Sequence, residues 1–427
     1  MALWIFVVFA IALVLAIPIS MSMVLGAVTP LVLGGAGSSI NQIIANAFSG
    51  SDTTPILAVP LFILAGIIMA EGGISRRLFN VFAYFVGNLP GGLPCAVIIT
   101  CLFYGAISGS GPATTAAVGA MAIPFLVDLG YDKTFAAGMI ATAGGLGVII
   151  PPSIPFVLYS LATGISTGAL FLGGILPGIF IGICLMAYAV YYSRKHGEDK
   201  ECIRAKMREL RGKGLGRLFL DSFWALLSPL IVLGGIYTGY FTPTEAACVS
   251  VFYSLIISMF VYKSITVHDV LPFLKTAVKT YAPLIFVIAF AIAFGRVLAL
   301  ARAPVLIENF VVNNFTSSAA VLAGVVILFL LLGMVMDTGP AIIILAPILL
   351  PAVMALGVDP VHFGVIMVCC LSIGLATPPF GLDLFVAGTL SNLQPMTVAR
   401  KAIPFILAFG VALVGITYIP WLSLAFL

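Results

Sequence analysis

The sequence predicts an all-α integral membrane protein built from two repeated halves, and three observations predict it. Of 427 residues, 62% are hydrophobic and only 8% are charged, against about 25% charged in a soluble domain. Apolar runs at 282–301, 322–336 and 403–427 lack the alternation of a membrane β-strand, so they read as helices. The same glycine and proline punctuation also occurs twice in the same order.

The first half covers 1–192. Its first Lys or Arg is Arg76, so residues 3–33 lack the basic start of a removable signal and read as a retained span. An amphipathic stretch at 38–50 precedes a span opened by Pro55. Residues 94–126 carry the turn YGAISGSGPATTAA at 104–117, with arms too short for two spans of about 20 residues. They predict a re-entrant hairpin, since non-helical backbone at membrane depth is tolerated only inside protein or beside a water-filled cavity. A discontinuous helix follows over 134–168, broken at Pro151-Pro152, because proline brings no N–H and disfavours helix in the residue before it.

Residues 193–217 form a basic linker. Nine of the 19 Lys and Arg lie between Arg194 and Arg217, which places this loop on the cytoplasmic side. A nucleic-acid- or lipid-binding arm is the alternative reading of this loop, but four interspersed acids weaken its field; membrane lipid is expected around the chain as a whole, and no nucleic acid. The second half, 218–427, repeats the order: an amphipathic stretch at 264–280, a span opened by Pro283, a hairpin at 322–354 with the turn LGMVMDTGPAII at 332–343, and a helix over 360–392 broken at Pro378-Pro379. About eleven spans and two hairpins are expected.

The repeat is written in offsets. Pro55 and Pro283, like Gly111-Pro112-Ala113 and Gly339-Pro340-Ala341, are 228 residues apart. Leu129-Gly130-Tyr131-Asp132 and Leu356-Gly357-Val358-Asp359 are 227 apart, as are the double prolines and the pair Leu176-Pro177 and Ile403-Pro404. Repetition alone does not give direction. That the halves run antiparallel through the bilayer is a hypothesis, which side-specific labelling of cysteines introduced at equivalent loops tests.

Paired interrupted helices point to a transporter's midplane site. Half-helix N-termini suit an anionic substrate, and freed carbonyls with hydroxyls suit sodium. One cation is expected at Ser108 and Ser110 with carbonyls of Gly145, Gly147, Ile150 and Pro151, and a second at Asp337 and Thr338 with those of Gly374 and Thr377. Ser108, Ser153, Asp337 and Asp383 are expected to meet the substrate. An ionisable group in an apolar stretch is a functional candidate by default, so Asp337 is read as functional over a helix cap. Asp383 stands evenly between a site role and capping the helix after Pro379. Glu245 in TPTE reads as a helix-start acid, and Arg296 and Arg302, just after a span, as snorkelling side chains. His196, His268 and His362 lie in loops or flanks and form no HExxH, and the seven cysteines show no metal spacing. No Walker A segment and no GxGD motif are present, which argues against ATP hydrolysis or intramembrane proteolysis and for a chain that is not an enzyme. A passive channel on the same broken helices remains open and would need no sodium.

The segments SGSGPATTAA, VIIPPSIPFVLY, GYFTPTEAA and ATPPFGLDLFV resemble those of the large membrane subunit (the M or DctM-like subunit) of tripartite ATP-independent periplasmic (TRAP) transporters, over essentially the whole chain. The resemblance implies an elevator-type, sodium-coupled importer of organic acids in a bacterial inner membrane. It implies a small four-helix membrane subunit (Q-type) and a periplasmic substrate-binding protein (P-type) as partners, with Na+ as coupling ion and no other cofactor. Its look leans to the sialic acid branch (N-acetylneuraminate), with C4-dicarboxylates as the alternative. Many members carry Asn where this chain has Asp383, which puts the role of that residue in doubt.

Overall fold

The computed structural model describes residues 1–34, 39–212, 214–315 and 317–427, and these are helical without a strand among them. The stretch expected as one span is two helices, α1 (Ala2–Val14) and α2 (Ile19–Val32), packed on each other. Ala16 turns to φ 58° and Pro18 cannot donate, so the chain is not helical from Leu15 to Pro18. Ser39 caps α3 (Ile40–Ser51) by accepting from the Gln42 N–H. Ser38, the first residue of the amphipathic stretch expected at 38–50, lies outside the described residues. Then come α4 (Ala58–Glu71) and α5 (Ile74–Val86).

The first hairpin is α6 (Gly92–Ser108) and α7 (Gly111–Asp128). The discontinuous helix is α8 (Lys133–Gly144), a 3-10 turn over Gly145–Val148, and α9 (Ile154–Thr163), and the long α10 (Thr167–His196) ends this half. The linker is mostly helical as α11 (Lys200–Gly212), with Lys213 outside the described residues. Helix α12 (Leu215–Tyr237) leads to α13 (Pro243–Ile256), where Thr242 and Glu245 form the expected capping box.

In the second half, amphipathic stretch and span fuse into one helix, α14 (Val267–Leu300). Then follow α15 (Ala303–Asn314), the hairpin α16 (Ser318–Gly333) and α17 (Thr338–Ala355), the broken pair α18 (Pro360–Gly374) and α19 (Leu382–Ser391), α20 (Pro395–Tyr418) and the short α21 (Trp421–Leu424). Seven helical segments are long and apolar enough to cross a bilayer among the described residues, and others are shorter. The first hairpin arms, α6 and α16, have 17 and 16 residues, about 25 Å of helix against about 30 Å of hydrocarbon.

Every residue of α8 from Phe135 to Gly144 and of α18 from Val361 to Gly374 is buried. These two helices form the centre, while Leu3, Phe48, Phe252, Leu331 and Leu407 face outward as a lipid-compatible surface. Partners are exchanged between halves: α8 packs on α20 and α18 on α10, while α7 meets α19 and α17 meets α9. The second half therefore supplies walls for the first half's break, and the reverse.

Two expectations change. His362 is no flank residue: it is 2% exposed inside α18, with Nε2 3.3 Å from the Thr417 carbonyl. Asp359 caps that helix through the Val361 and His362 N–H groups, so residue 362 already belongs to its first turn. Arg296 lies within α14, not beyond it, and donates to the Asn46 amide oxygen at 3.0 Å, tying α14 to α3.

Candidate functional site

Two hairpin tips and two helix breaks meet at the centre. Each break starts from missing donors. The helical partners of the Gly147 and Val148 carbonyls would be the N–H groups of Pro151 and Pro152, which proline lacks. Gly374 and Leu375 stand in the same relation to Pro378 and Pro379. The structure rescues the equivalent carbonyls differently. Val148's accepts from the Ser153 hydroxyl at 2.5 Å, whereas Leu375's accepts from the Asp383 N–H at 2.9 Å. Gly374's accepts from the Thr377 N–H at 3.0 Å.

Hydroxyls fill the first cluster. Ser108, 1% exposed, sits 2.8 Å from the Thr114 hydroxyl, which donates to the Ser110 carbonyl at 2.9 Å. A Cβ on Gly147 would stand 2.2 Å from the Thr114 hydroxyl and 2.7 Å from the Ser110 carbonyl oxygen, so the tip and the break are in contact. Ser110 is the N-cap of α7 but accepts no cap bond through its side chain. Gly109 turns the tip at φ 62°, and its carbonyl accepts from the Ile154 N–H, the first residue of α9. Ile150 lies buried with Pro151 at the break. Ser153 caps α9 through the Phe156 N–H, which commits its proton and one lone pair to backbone.

The second cluster is carboxylic. Asp337 Oδ1 accepts from the Thr338 N–H at 2.7 Å and from its hydroxyl at 3.3 Å, so this acid does cap α17, at the hairpin tip itself. Thr377 donates back to the Ile373 carbonyl at 2.7 Å. The capping alternative for Asp383 fails. Gly381 is the N-cap of α19, and both Asp383 oxygens are fully buried with no hydrogen-bond partner among the described residues. They lie against the first half instead: a Cβ on Gly111, the first residue of α7, would be 3.2 Å from Oδ2. Thr115 faces Asp383 without closing a hydrogen bond, and its hydroxyl presses on Gly144.

Equivalent positions touch across the centre. Ser372 donates to the Gly145 carbonyl at 2.7 Å, two residues separated by 227 in sequence. Within each half the hairpin's first arm meets its own break at a pair of glycines. A Cβ on Gly105 would be 2.7 Å from the Gly147 Cα, and one on Gly333 would be 3.1 Å from the Gly374 Cα. Only residues without a side chain allow two backbones so close.

Gly105, Thr114, Thr115 and Ser372 were missed from sequence. The three hydroxyl residues lie on helices whose apolar neighbours hide them, and Gly105 is one of 44 glycines. The offset could have found two of them, since Gly105 is the counterpart of Gly333 and Ser372 that of Gly145.

The four segments contain no Lys or Arg. Helices α7, α9, α17 and α19 point their N-termini into the cluster and α6, α8, α16 and α18 their C-termini, giving partial positive and partial negative ends side by side. No group of three His, Cys, Asp or Glu able to hold a metal occurs among the described residues. The donors are carbonyls, hydroxyls and two carboxylates, a set for hard cations. A cavity of about 990 Å³ lies farther along α7, beside Ala117, Met121 and Asp128, with Arg76 of α5 and Lys206 of α11 on its other walls.

Residues 6–422 match the family described as tripartite ATP-independent periplasmic transporter, DctM component. The chain is 42% identical over 98% of its length to the isethionate TRAP transporter permease protein DctMQ of Oleidesulfovibrio alaskensis, of which it spans 65%. It is 39% identical to the C4-dicarboxylate TRAP transporter large permease protein DctM of Pseudomonas aeruginosa, covering 91% of this chain and 89% of that one. The sialic acid TRAP transporter large permease protein SiaM of Vibrio cholerae is 32% identical, covering 95% and 94%. Among solved structures, the YdaH transporter of Alcanivorax borkumensis superposes with a TM-score of 0.59 at 13% identity, covering 87% of this chain and 88% of that one, a likeness of fold.

Proposed function

This chain belongs to the DctM-component family of tripartite ATP-independent periplasmic transporters, and on that premise we propose that it moves a small organic anion together with sodium through the central cluster. Membership makes it a multi-pass large permease subunit for organic acid transport and not an enzyme. The observation that carries the sodium reading is the pairing of two proline breaks with two hairpin tips, where carbonyls and hydroxyls gather without a cationic side chain. One cation is assigned to Ser108, Ser110 and Thr114 with the Gly145–Pro151 carbonyls. The second, at Asp337 and Thr338 with Gly374 and Thr377, rests on the close approach of Gly333 to Gly374 and on the acid. The anion is met by the N-termini of α7 and α9, with Ser108 beside them; Asp383 recognises a hydroxyl or faces a cation.

The substrate class is a small carboxylate or sulfonate. Relatives named for isethionate and C4-dicarboxylates stand at higher identity than the one named for sialic acid, which moves the substrate away from the sialic acid expectation. The halves are taken as inverted repeats, with hairpins and broken helices moving as one body against α4, α5 and α14 in an elevator step. The small membrane subunit and a periplasmic binding protein are its partners, and the name DctMQ on a relative longer than this chain fits the first. Two sodium ions descending about 100 mV supply about 4.6 kcal/mol, of which a monovalent anion entering with them consumes about 2.3, so the potential alone sustains a gradient of about fortyfold and the sodium concentration gradient adds to it.

The test is uptake of labelled isethionate, succinate and N-acetylneuraminate by proteoliposomes holding the chain with both partners. Accumulation of one acid driven by an inward sodium gradient is expected. Equal uptake in potassium-only buffer would leave a passive permease and overturn the coupling.

A further inference from the structure

Helix α11 separates two cavities. Lys200, Ile203, Arg204, Met207, Arg208 and Arg211 recur at helical spacing and line one of about 510 Å³ with the 87–90 loop. Ala205, Lys206 and Leu210, on other faces, line the cavity along α7. Ile203 and Met207 are buried, and a Cβ on Gly87 would stand 2.5 Å from the Met207 sulfur, so α11 is seated against the loop and its cations share the cavity.

That cavity carries more cations than its acid balances. Glu198 is its one acid, and its Oε1 already accepts from the Gly91 N–H at 3.0 Å and from the Tyr131 hydroxyl. Among the described residues the ion pairs join Lys206 to Glu209 and Lys401 to Asp132, and none includes Lys200, Arg204, Arg208 or Arg211. Arg211 is held in place by donating to the Tyr84 carbonyl at 3.2 Å and stacking over the Tyr84 ring. Lys200, Arg204, Arg208 and Arg211 against the single Glu198 leave an excess of positive charge around the cavity, which an entering anion relieves.

We propose that this pocket binds a phosphate-bearing anion, and that its occupant in the cell is the headgroup of an acidic phospholipid. Helix α11 directly joins α10 and α12, both membrane-spanning by length and composition. The pocket therefore sits at the level where spans end and headgroups begin, and basic pockets at that level bind acidic headgroups. A headgroup held there fixes the helix whose other side walls the cavity along α7. The binding itself does not depend on the transport reading.

The test uses the full chain in detergent, with native mass spectrometry and thermal melting in phosphatidylglycerol, phosphatidylcholine or inorganic phosphate. Phosphatidylglycerol is expected to stay bound and raise the melting temperature where phosphatidylcholine does not. Arg204→Gln/Arg208→Gln/Arg211→Gln should weaken it by about tenfold or more, Arg-to-Lys changes at the same positions should retain it, and Lys275→Gln/Lys279→Gln on α14 should not alter it. Equal retention of both lipids, or a triple variant that binds like the parent, overturns the site. Saturation by inorganic phosphate with the affinity of phosphatidylglycerol overturns the lipid as occupant.

Discussion

The two hairpin tips share a backbone and differ in chemistry. Each is a helix, a tight link and a helix, and each presses a glycine of its first arm onto a glycine of its own break. The first tip then offers Ser108, Ser110, Thr114 and Thr115, all neutral hydroxyls. At the positions matching Ser108, Thr114 and Thr115 the second tip has Met336, Ile342 and Ile343, and its polarity is concentrated in Asp337 and Thr338. The missing charge of the first tip is supplied by the second half, through Asp383 against Gly111. Equal scaffolds thus carry unequal sites: neutral donors with a borrowed acid on one side, an acid of its own on the other.

The largest effect should come from breaking the shared feature. Gly147→Val and Gly374→Val put side chains where backbone atoms stand 2.7 Å and 2.4 Å from the Cβ position, and uptake should fall by about a hundredfold or more in each, because overpacking displaces the tips. A variant that transports normally on one side only would show that the two breaks are not equivalent. Next, Asp337→Asn should raise the half-saturating sodium concentration more than Ser108→Ala does, by about tenfold, since a charged ligand is roughly twice as strong as a neutral one. Sodium titration of uptake measures both, and the reverse order would put the acid outside the cation site.

A smaller effect is expected at Asp383. Asp383→Asn keeps the shape and supplies a donor toward Thr115, so uptake should stay within about threefold, whereas Asp383→Leu removes the polar partner and should cost about tenfold. Uptake indistinguishable between the two would mean that Asp383 faces neither ion nor substrate. The smallest effect compares the matched helix caps. Asp132 accepts from the Thr134 N–H at 2.9 Å and Asp359 from the Val361 N–H at 2.8 Å, so Asp132→Ala and Asp359→Ala should each lose about 1 kcal/mol in thermal melts. Burial pushes the Asp132 carboxyl up, but the Thr134 hydrogen bonds and the Lys401 ammonium outweigh this and hold it below its usual value. Its contribution is therefore complete above the unfolded pKa of about 3.9 and is lost as pH falls through the lower folded value. A melt of Asp132→Ala that kept the parent's difference below that range would remove the ionised cap from the account.

Punctuation was legible because proline and glycine act through their own backbone. Pro151-Pro152 and Pro378-Pro379 interrupt the helices before them, and the first hairpin turns at Gly109, whereas the second turns over residues 334–337, with Gly339 already inside α17. Partnership was not legible. Whether Asp383 capped its helix or faced a site was undecidable in sequence, and the structure turns it onto Gly111 of the other half. The same holds for Arg296, which reads as an interfacial cation until Asn46 arrives beside it.

By itself the sequence determined where helices run, where they snap and that they do so twice, since those outcomes follow from apolar length and from missing N–H groups within a few residues. Only the tertiary structure decided which carbonyl each freed donor meets, that Ser372 reaches Gly145, and that a carboxylate from one half completes the tip of the other. Those are contacts between segments more than two hundred residues apart, chosen by the packing of α7 on α19 and α17 on α9, and no local preference encodes them.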